Sequence, residues 1–278
     1  MVKIIATHPI GIIAGRGDLP KILIDNLLNR GQKFVIFLLE SEEYANISYY
    51  NQFNPILISY GGVEQLISKL NFSNIKQLVF VGAVNKPNFQ QMKVDKTATI
   101  LLAKILANKI LGDNAVLKTV INFLASRGFD VLAIEDLLDD LVVNAGVIGN
   151  IKPNKEQIDD INLGISAIKH FSKFDVGQAV VVAQKQIIAV EAIEGTDSML
   201  ERCSTIDLLK NQKAILVKMP KIRQNRKVDL PTIGLTTLEK CLIANINGII
   251  IAKKQSLIIC KAEVIDFANA NNIFLQAY

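Results

Sequence analysis

Ile10-Gly11-Ile12-Ile13-Ala14-Gly15-Arg16-Gly17-Asp18-Leu19-Pro20 is the stretch on which the fold turns. Ile10 to Ala14 reads as a strand, and Gly15 to Pro20 as the turn that leaves it. Pro20 suits the first helical position, where a missing N–H costs nothing. A helix over Lys21 to Arg30 follows, with Ile22, Leu23 and Leu27 on one side, and it stops at Gly31. The same rhythm continues downstream. Strands are expected over Lys33 to Leu39, Pro55 to Ile58, Gln77 to Val81 and Phe129 to Ile134, and helices over Val63 to Leu70, Thr97 to Leu111 and Asn114 to Ser126. Strand–helix alternation with short turns predicts a parallel sheet with helices packed on it.

Asp139 to Pro153 breaks the rhythm, with glycines, asparagines and a proline but no clear period, and reads as a link between domains. Beyond it, Lys155 to His170 is a helix. Gln178 to Val182 and Ile187 to Val190 form an antiparallel pair turning near Gln184-Lys185. A helix over Met199 to Lys210, a strand over Ala214 to Lys218 and a polar loop over Met219 to Val228 come next. Thr236 to Ala244 is helical, Gly248 to Ile251 and Leu257 to Ile259 are expected to pair as strands, and Glu263 to Asn271 is the last helix. The expected architecture is α/β: a Rossmann-like parallel-sheet domain over residues 1–142 and a mixed α/β domain over residues 143–278, with a ligand cleft between them.

The chain has 278 residues, half of them hydrophobic and 21% charged, which supplies a large core and excludes disorder as its main state. The longest apolar region, Leu242 to Cys260, is interrupted by Asn245, Asn247, Lys253, Lys254 and Gln255, so no bilayer span is expected. The N-terminus reads as a structural strand, not a signal peptide, so a cytoplasmic protein is expected. Cys203, Cys241 and Cys260 are far apart and form no metal spacing, as expected of buried or free thiols. A net charge of +5 favours an anionic partner.

Three segments can carry chemistry. Gly15 and Gly17 sit between a strand and a helix, where backbone can approach an anion. They do not form a dinucleotide fingerprint, since Pro20 stands where its third glycine would be. Gly61-Gly62 and Gly82 follow the third and fourth strands, at the sheet edge where ligands bind in open α/β folds. The stretch Val190-Glu191-Ala192-Ile193-Glu194-Gly195-Thr196-Asp197 gathers three carboxylates and a hydroxyl. Glu194, Thr196 and Asp197 could ligate a divalent cation; alternatively, Thr196 or Asp197 caps the helix from Met199. Lys218, Lys221, Arg223, Arg226 and Lys227 crowd into one loop before Asp229, an arrangement able to neutralise a pyrophosphate and equally a solvated basic surface. His8 and His170 lack any partner motif for imidazole chemistry.

These stretches carry a resemblance over almost the whole chain. Gly11 to Pro20, Asp175-Val176-Gly177-Gln178-Ala179-Val180-Val181-Val182, the Val190 to Asp197 segment and Val228-Asp229-Leu230-Pro231-Thr232-Ile233-Gly234 are similar, in order and spacing, to the UDP-2,3-diacylglucosamine pyrophosphatases of lipid A biosynthesis, the LpxI family. The resemblance implies hydrolysis of the diphosphate to UMP and 2,3-diacylglucosamine 1-phosphate (lipid X), with Mg2+ or Mn2+. It implies Asp229 as the catalytic acid, expected to ligate the metal too; in the acidic stretch Asp197 and Glu194 are the further expected catalytic residues, with Asp197 a second metal ligand. Gly15, Gly17, Gly62, Gly82, Thr196, Lys218, Lys221 and Thr232 are the expected substrate contacts. It also implies a basic enzyme docking peripherally on the inner leaflet, with no nucleic-acid partner and with a homodimer as one option. One departure is Lys221-Ile222-Arg223-Gln224-Asn225, where relatives read Lys-Pro-Gly-Gln-Asp. Two other readings remain: a nicotinamide-dependent oxidoreductase, with Glu40 near the place of a ribose-binding acid, and a non-catalytic nucleic-acid or nucleotide-binding module resting on the basic loop.

Overall fold

The computed structural model describes residues 8–40, 42–45, 47–85, 92–107, 113–174, 176–221 and 230–278. They form two compact units, one holding the described residues up to 138 and the other those from 139 on.

The first unit is a five-stranded parallel sheet in the order β3-β2-β1-β4-β5. Its strands are β1 (Ile10–Ala14), β2 (Phe34–Leu39), β3 (Ile56–Ile58), β4 (Gln77–Val81) and β5 (Asp130–Val131). Its helices are α1 (Leu19–Asn29), α2 (Ile47–Asn51), α3 (Val63–Phe72), α4 (Lys96–Ala107), α5 (Asp113–Ser126) and α6 (Ile134–Leu137). β1 lies at the centre, paired with β2 on one side and β4 on the other, and every one of its residues is buried. That burial on both faces explains its uninterrupted apolar composition. Phe37, Ile58, Leu78 and Val131 pack with Leu70, Ile121 and Leu124 of the helices. The expected fifth strand, Phe129 to Ile134, is cut to two residues because the chain turns into α6 at Ile134.

The second unit is built on a six-stranded mixed sheet in the order β6-β13-β11-β9-β7-β8. Here β6 is Gly146–Ile148, β7 Ala179–Ala183, β8 Gln186–Val190, β9 Ala214–Lys218, β11 Ile246–Ile251 and β13 Phe274–Ala277. β10 (Thr232–Ile233) and β12 (Leu257–Ile258) form a separate parallel pair. The helices are α7 (Lys155–Phe171), α8 (Gly195–Cys203), α9 (Asp207–Asn211), α10 (Leu235–Ile243) and α11 (Lys261–Ala270). Residues alternate between the two faces of the sheet. Val180, Val182, Ile215, Val217 and Ile250 meet Ile161, Ile165 and Ile168 of α7, while Val181, Leu216, Ile249 and Ile251 meet Leu200, Leu238 and Val264 of α8, α10 and α11. α7 opens on a reciprocal cap, the Asn154 side chain accepting from Gln157 N at 2.9 Å and Gln157 Oε1 from Asn154 N at 2.8 Å.

Three expectations for this half are corrected. Leu257 and Ile258 pair with Thr232 and Ile233 and not with the Gly248 to Ile251 strand, which lies between β9 and β13. The single helix from Met199 to Lys210 is two, α8 and α9, broken at Ser204–Ile206. The aperiodic link contains β6, an antiparallel edge strand on β13.

Candidate functional site

In the first unit β1 runs into Gly15 and Arg16 at the carboxyl edge of the sheet, beside the turn after β4. The strand order reverses between β1 and β4, the place where open α/β sheets take ligands. Here main chain bridges it: Arg16 N donates to Ala83 O at 2.7 Å, and Ala83 N to Arg16 O at 3.0 Å. A Cβ on Gly15 would run into the backbone of Gly82 and Ala83, so only glycine lets the two turns cross.

A polar network is anchored under this crossing. The Glu42 side chain is 0% exposed and forms an ion pair with Arg16 Nε at 2.9 Å. It also accepts from Asn85 N at 2.7 Å, Asn85 Nδ2 at 3.1 Å and the Tyr60 hydroxyl at 2.5 Å. A carboxylate out of water is tolerated when donors surround it. Arg16 Nη2 donates to Asn85 Oδ1 at 2.8 Å, so the guanidinium is fixed in place while its side chain stays 41% exposed. Burial, then the bond to Glu42, pushes the Tyr60 hydroxyl pKa well above its ordinary value. A small cavity of about 40 Å³ is lined by Arg16, Gly17, Asp18, Tyr44, Ala45 and Tyr50. Gly62 stands before α3 as its N-cap, and Gly82 has a left-handed backbone against Arg16 O.

In the second unit three strand ends meet. Glu191 follows β8 and is 8% exposed; its N–H donates to Ala179 O at 2.9 Å, and its Oε2 accepts from Gln178 N at 3.3 Å. Met219, just past β9, donates to Gln178 O at 2.9 Å. Gly177 makes the approach possible, because a Cβ there would overlap the main chain of Glu191. Thr196, in the first turn of α8, is buried as well. Lys218, the last residue of β9, is buried as well, and its Nζ donates to Thr232 O at 2.9 Å. Burial raises the pKa of Glu191, and the Lys218 cation pulls it back, followed by the Gln178 N–H, the Thr196 hydroxyl and Lys221. The Cys241 thiol, wholly buried, is pushed up by desolvation, with Lys218 opposing.

The expected site residues of this half are divided. Thr196, Lys218 and Thr232 join the buried centre, and Lys221 acts on it electrostatically. Glu194 is the N-cap residue of α8, but its side chain makes no cap bond and pairs with Arg202 at 3.0 Å. Its own backbone and then Arg202 hold its carboxyl below the ordinary value. Asp197 lies in the first turn of α8, 59% exposed and 3.3 Å from Lys240. Because the helix begins at Gly195, Thr196 and Asp197 lie inside it and neither is its N-cap. Asp229, and with it Arg223, Arg226 and Lys227, lies outside the described residues. Among the described residues no three His, Cys, Asp or Glu side chains are gathered to hold a metal ion, so these residues alone do not make up a metal site.

Reading the sequence missed Glu191, Glu42, Tyr60 and Asn85. For Glu191 a signal existed: Ala189 is buried in β8, and a residue two further along faces the same side.

Comparison with known proteins bears on both units. The family model for the LpxI N-terminal domain matches residues 9–141, and that for the LpxI C-terminal domain matches residues 144–276. The chain is 27% identical over 271 residues to the UDP-2,3-diacylglucosamine pyrophosphatase LpxI of Caulobacter vibrioides, covering 96% of both proteins. With both domain models matched in sequence order and almost the whole length accounted for, the chain belongs to the LpxI family.

Proposed function

We propose that this protein hydrolyses the diphosphate of UDP-2,3-diacylglucosamine, releasing UMP and 2,3-diacylglucosamine 1-phosphate. The observation that carries this reading is the end-to-end match to a relative bearing that activity in its name. The chemistry of the buried centre supports it. Attack of water on a diphosphate shifts negative charge among phosphate oxygens, and fixed cations stabilise that shift best where water is excluded. Lys218 is a buried cation bonded to the backbone of Thr232, inside the Asp229–Gly234 motif.

Asp229 is the proposed catalytic acid. Thr196, Lys218, Lys221 and Thr232 are proposed substrate contacts of the second unit, and Gly15, Gly17, Gly62 and Gly82 of the first. Glu194 and Asp197 are assigned supporting roles. Mg2+ or Mn2+ belongs to the proposal as a supplier of positive charge to the phosphates, with Asp197 as one described donor for it.

Incubating the purified protein with Mg2+ and UDP-2,3-diacylglucosamine tests this. UMP and lipid X are expected in equal amounts, a chelator should stop their formation, and Mn2+ should restore it. Asp229→Ala should lower turnover by about 100-fold or more while leaving the circular dichroism spectrum unchanged. Absence of UMP at any cation concentration would overturn the assignment, and full turnover in Asp229→Ala would remove that residue from the mechanism.

A further inference from the structure

Arg16 stands where the strand order of the first unit reverses, between the end of β1 and the start of α1. Its main chain is pinned to Ala83 through both its N–H and its C=O. Its side chain is held too: Nε lies 2.9 Å from the wholly buried Glu42 carboxylate, and Nη2 donates to Asn85 Oδ1 at 2.8 Å. Glu42 is fixed in turn by Asn85 N and the Tyr60 hydroxyl. Nη1 has no partner among the described residues, on a side chain that remains 41% exposed. An arginine braced in this way gives up little rotamer freedom when it takes a ligand.

Arg16 lines the cavity of about 40 Å³ together with Gly17, Asp18, Tyr44, Ala45 and Tyr50. At about 10–15 Å³ for each water, that space admits about three waters or one tetrahedral anion, and no nucleobase. The Tyr44 hydroxyl is already satisfied, accepting from Leu39 N and donating to Ala14 O, both at 2.9 Å, so this ring serves as wall. Gly17 has a left-handed backbone (φ +93°), and a Cβ there would meet nothing within 4 Å, so the turn is open on that side. Among the described residues neither the Gly17 N–H nor the Asp18 N–H has an acceptor. Of the lining residues Asp18 alone is acidic, and it is exposed, where water screens its charge.

We infer that Arg16 is a phosphate-gripping residue of the first unit: its braced guanidinium group, with the Gly17 and Asp18 N–H groups, takes one phosphate group of a uridine nucleotide at this cavity. A planar guanidinium beside free backbone donors matches the oxygens of a phosphate. The choice of a uridine nucleotide rests on the hydrolase reading; the grip on phosphate rests on the geometry of the first unit.

Calorimetric titration of the full-length protein with UDP tests this. The wild type should bind, and Arg16→Lys, which keeps the charge but not the planar fork, should weaken binding about tenfold. Arg16→Gln combined with Glu42→Gln removes the cation without leaving the buried carboxylate unpaired. It should weaken binding about 30-fold or more, and it serves if Arg16→Lys does not fold. Asp18→Asn removes the negative charge at the cavity and should tighten UDP about threefold, a change that a merely structural role of Arg16 would not produce. Inorganic pyrophosphate, titrated in the same way, should bind more weakly than UDP. No binding of UDP, unchanged affinity in the Arg16 variants, looser binding in Asp18→Asn, or pyrophosphate as tight as UDP would overturn the inference. Protein that binds UDP through Arg16 but releases no UMP from UDP-2,3-diacylglucosamine would overturn the hydrolase reading instead and leave the Arg16 grip standing.

Discussion

As whole residues Glu42 and Glu191 are both buried, 7% and 8% exposed, but they are held differently. Glu42 collects Arg16, Tyr60 and two donors of Asn85. Glu191 is dominated by desolvation, which raises its pKa above the ordinary 4.5 despite the pull of Lys218. A carboxyl that binds its proton more tightly when folded favours the folded state most below its unfolded pKa, and that advantage is lost as pH rises through the folded value. Gln does not titrate. The stability of the wild type relative to Glu191→Gln should therefore be greatest near about pH 4 and shrink towards about pH 7, read from melting temperatures across that range. A difference that stays flat or widens with pH would show that burial does not govern this carboxyl. The Glu191–Asp197 stretch was legible as a chemical hot spot because its acids are dense. Which acid is buried showed only in the alternation along β8, while the surface pairings of Glu194 with Arg202 and of Asp197 with Lys240 depend on tertiary position and left no local pattern.

At the scale of elements, the parallel sheet was readable because β1, β2 and β3, and β4 after Gln77, are continuous apolar runs each followed by a turn and a helix. The second unit was less so. Leu257 and Ile258 lie a short loop after β11, the spacing of a hairpin, yet the chain is redirected there. Ser256 Oγ accepts from Ala252 N at 3.1 Å, and Lys254 N donates to Val143 O at 2.8 Å, and β12 leaves to meet a strand far back in sequence. Parallel pairings with distant partners leave no local pattern. The break between α8 and α9 is equally a matter of side chains, since the Ser204 and Thr205 hydroxyls bond back to Glu201 O and Arg202 O and close the helix. The crossing of the β1 and β4 turns gives a prediction at this scale. Gly15→Ala would drive a methyl group into the backbone of Gly82 and Ala83, and rigid main chain cannot step aside as a side-chain tip can. A loss of about 2 kcal/mol or more in urea unfolding is expected. An unchanged midpoint would show that the turns can separate without cost.

For the whole molecule, the proposed substrate sets a physical problem. It carries two acyl chains and so resides in a bilayer, while among the described residues no helix is long and apolar enough to cross one. The net charge of +5 offers a way for the protein to reach it. Each Lys or Arg near an anionic lipid surface contributes about 1 kcal/mol, and that attraction decays within a Debye length. A handful of such residues facing the membrane would hold the enzyme reversibly, close enough to draw on substrate and loose enough to leave with product. Sedimentation with vesicles of phosphatidylglycerol and phosphatidylcholine should show binding at about 0.05 M salt that falls about tenfold or more by about 0.5 M, and little binding to phosphatidylcholine alone. Salt-resistant binding to neutral vesicles would point to apolar insertion instead, and no binding at low salt would mean that the substrate reaches the enzyme away from the membrane.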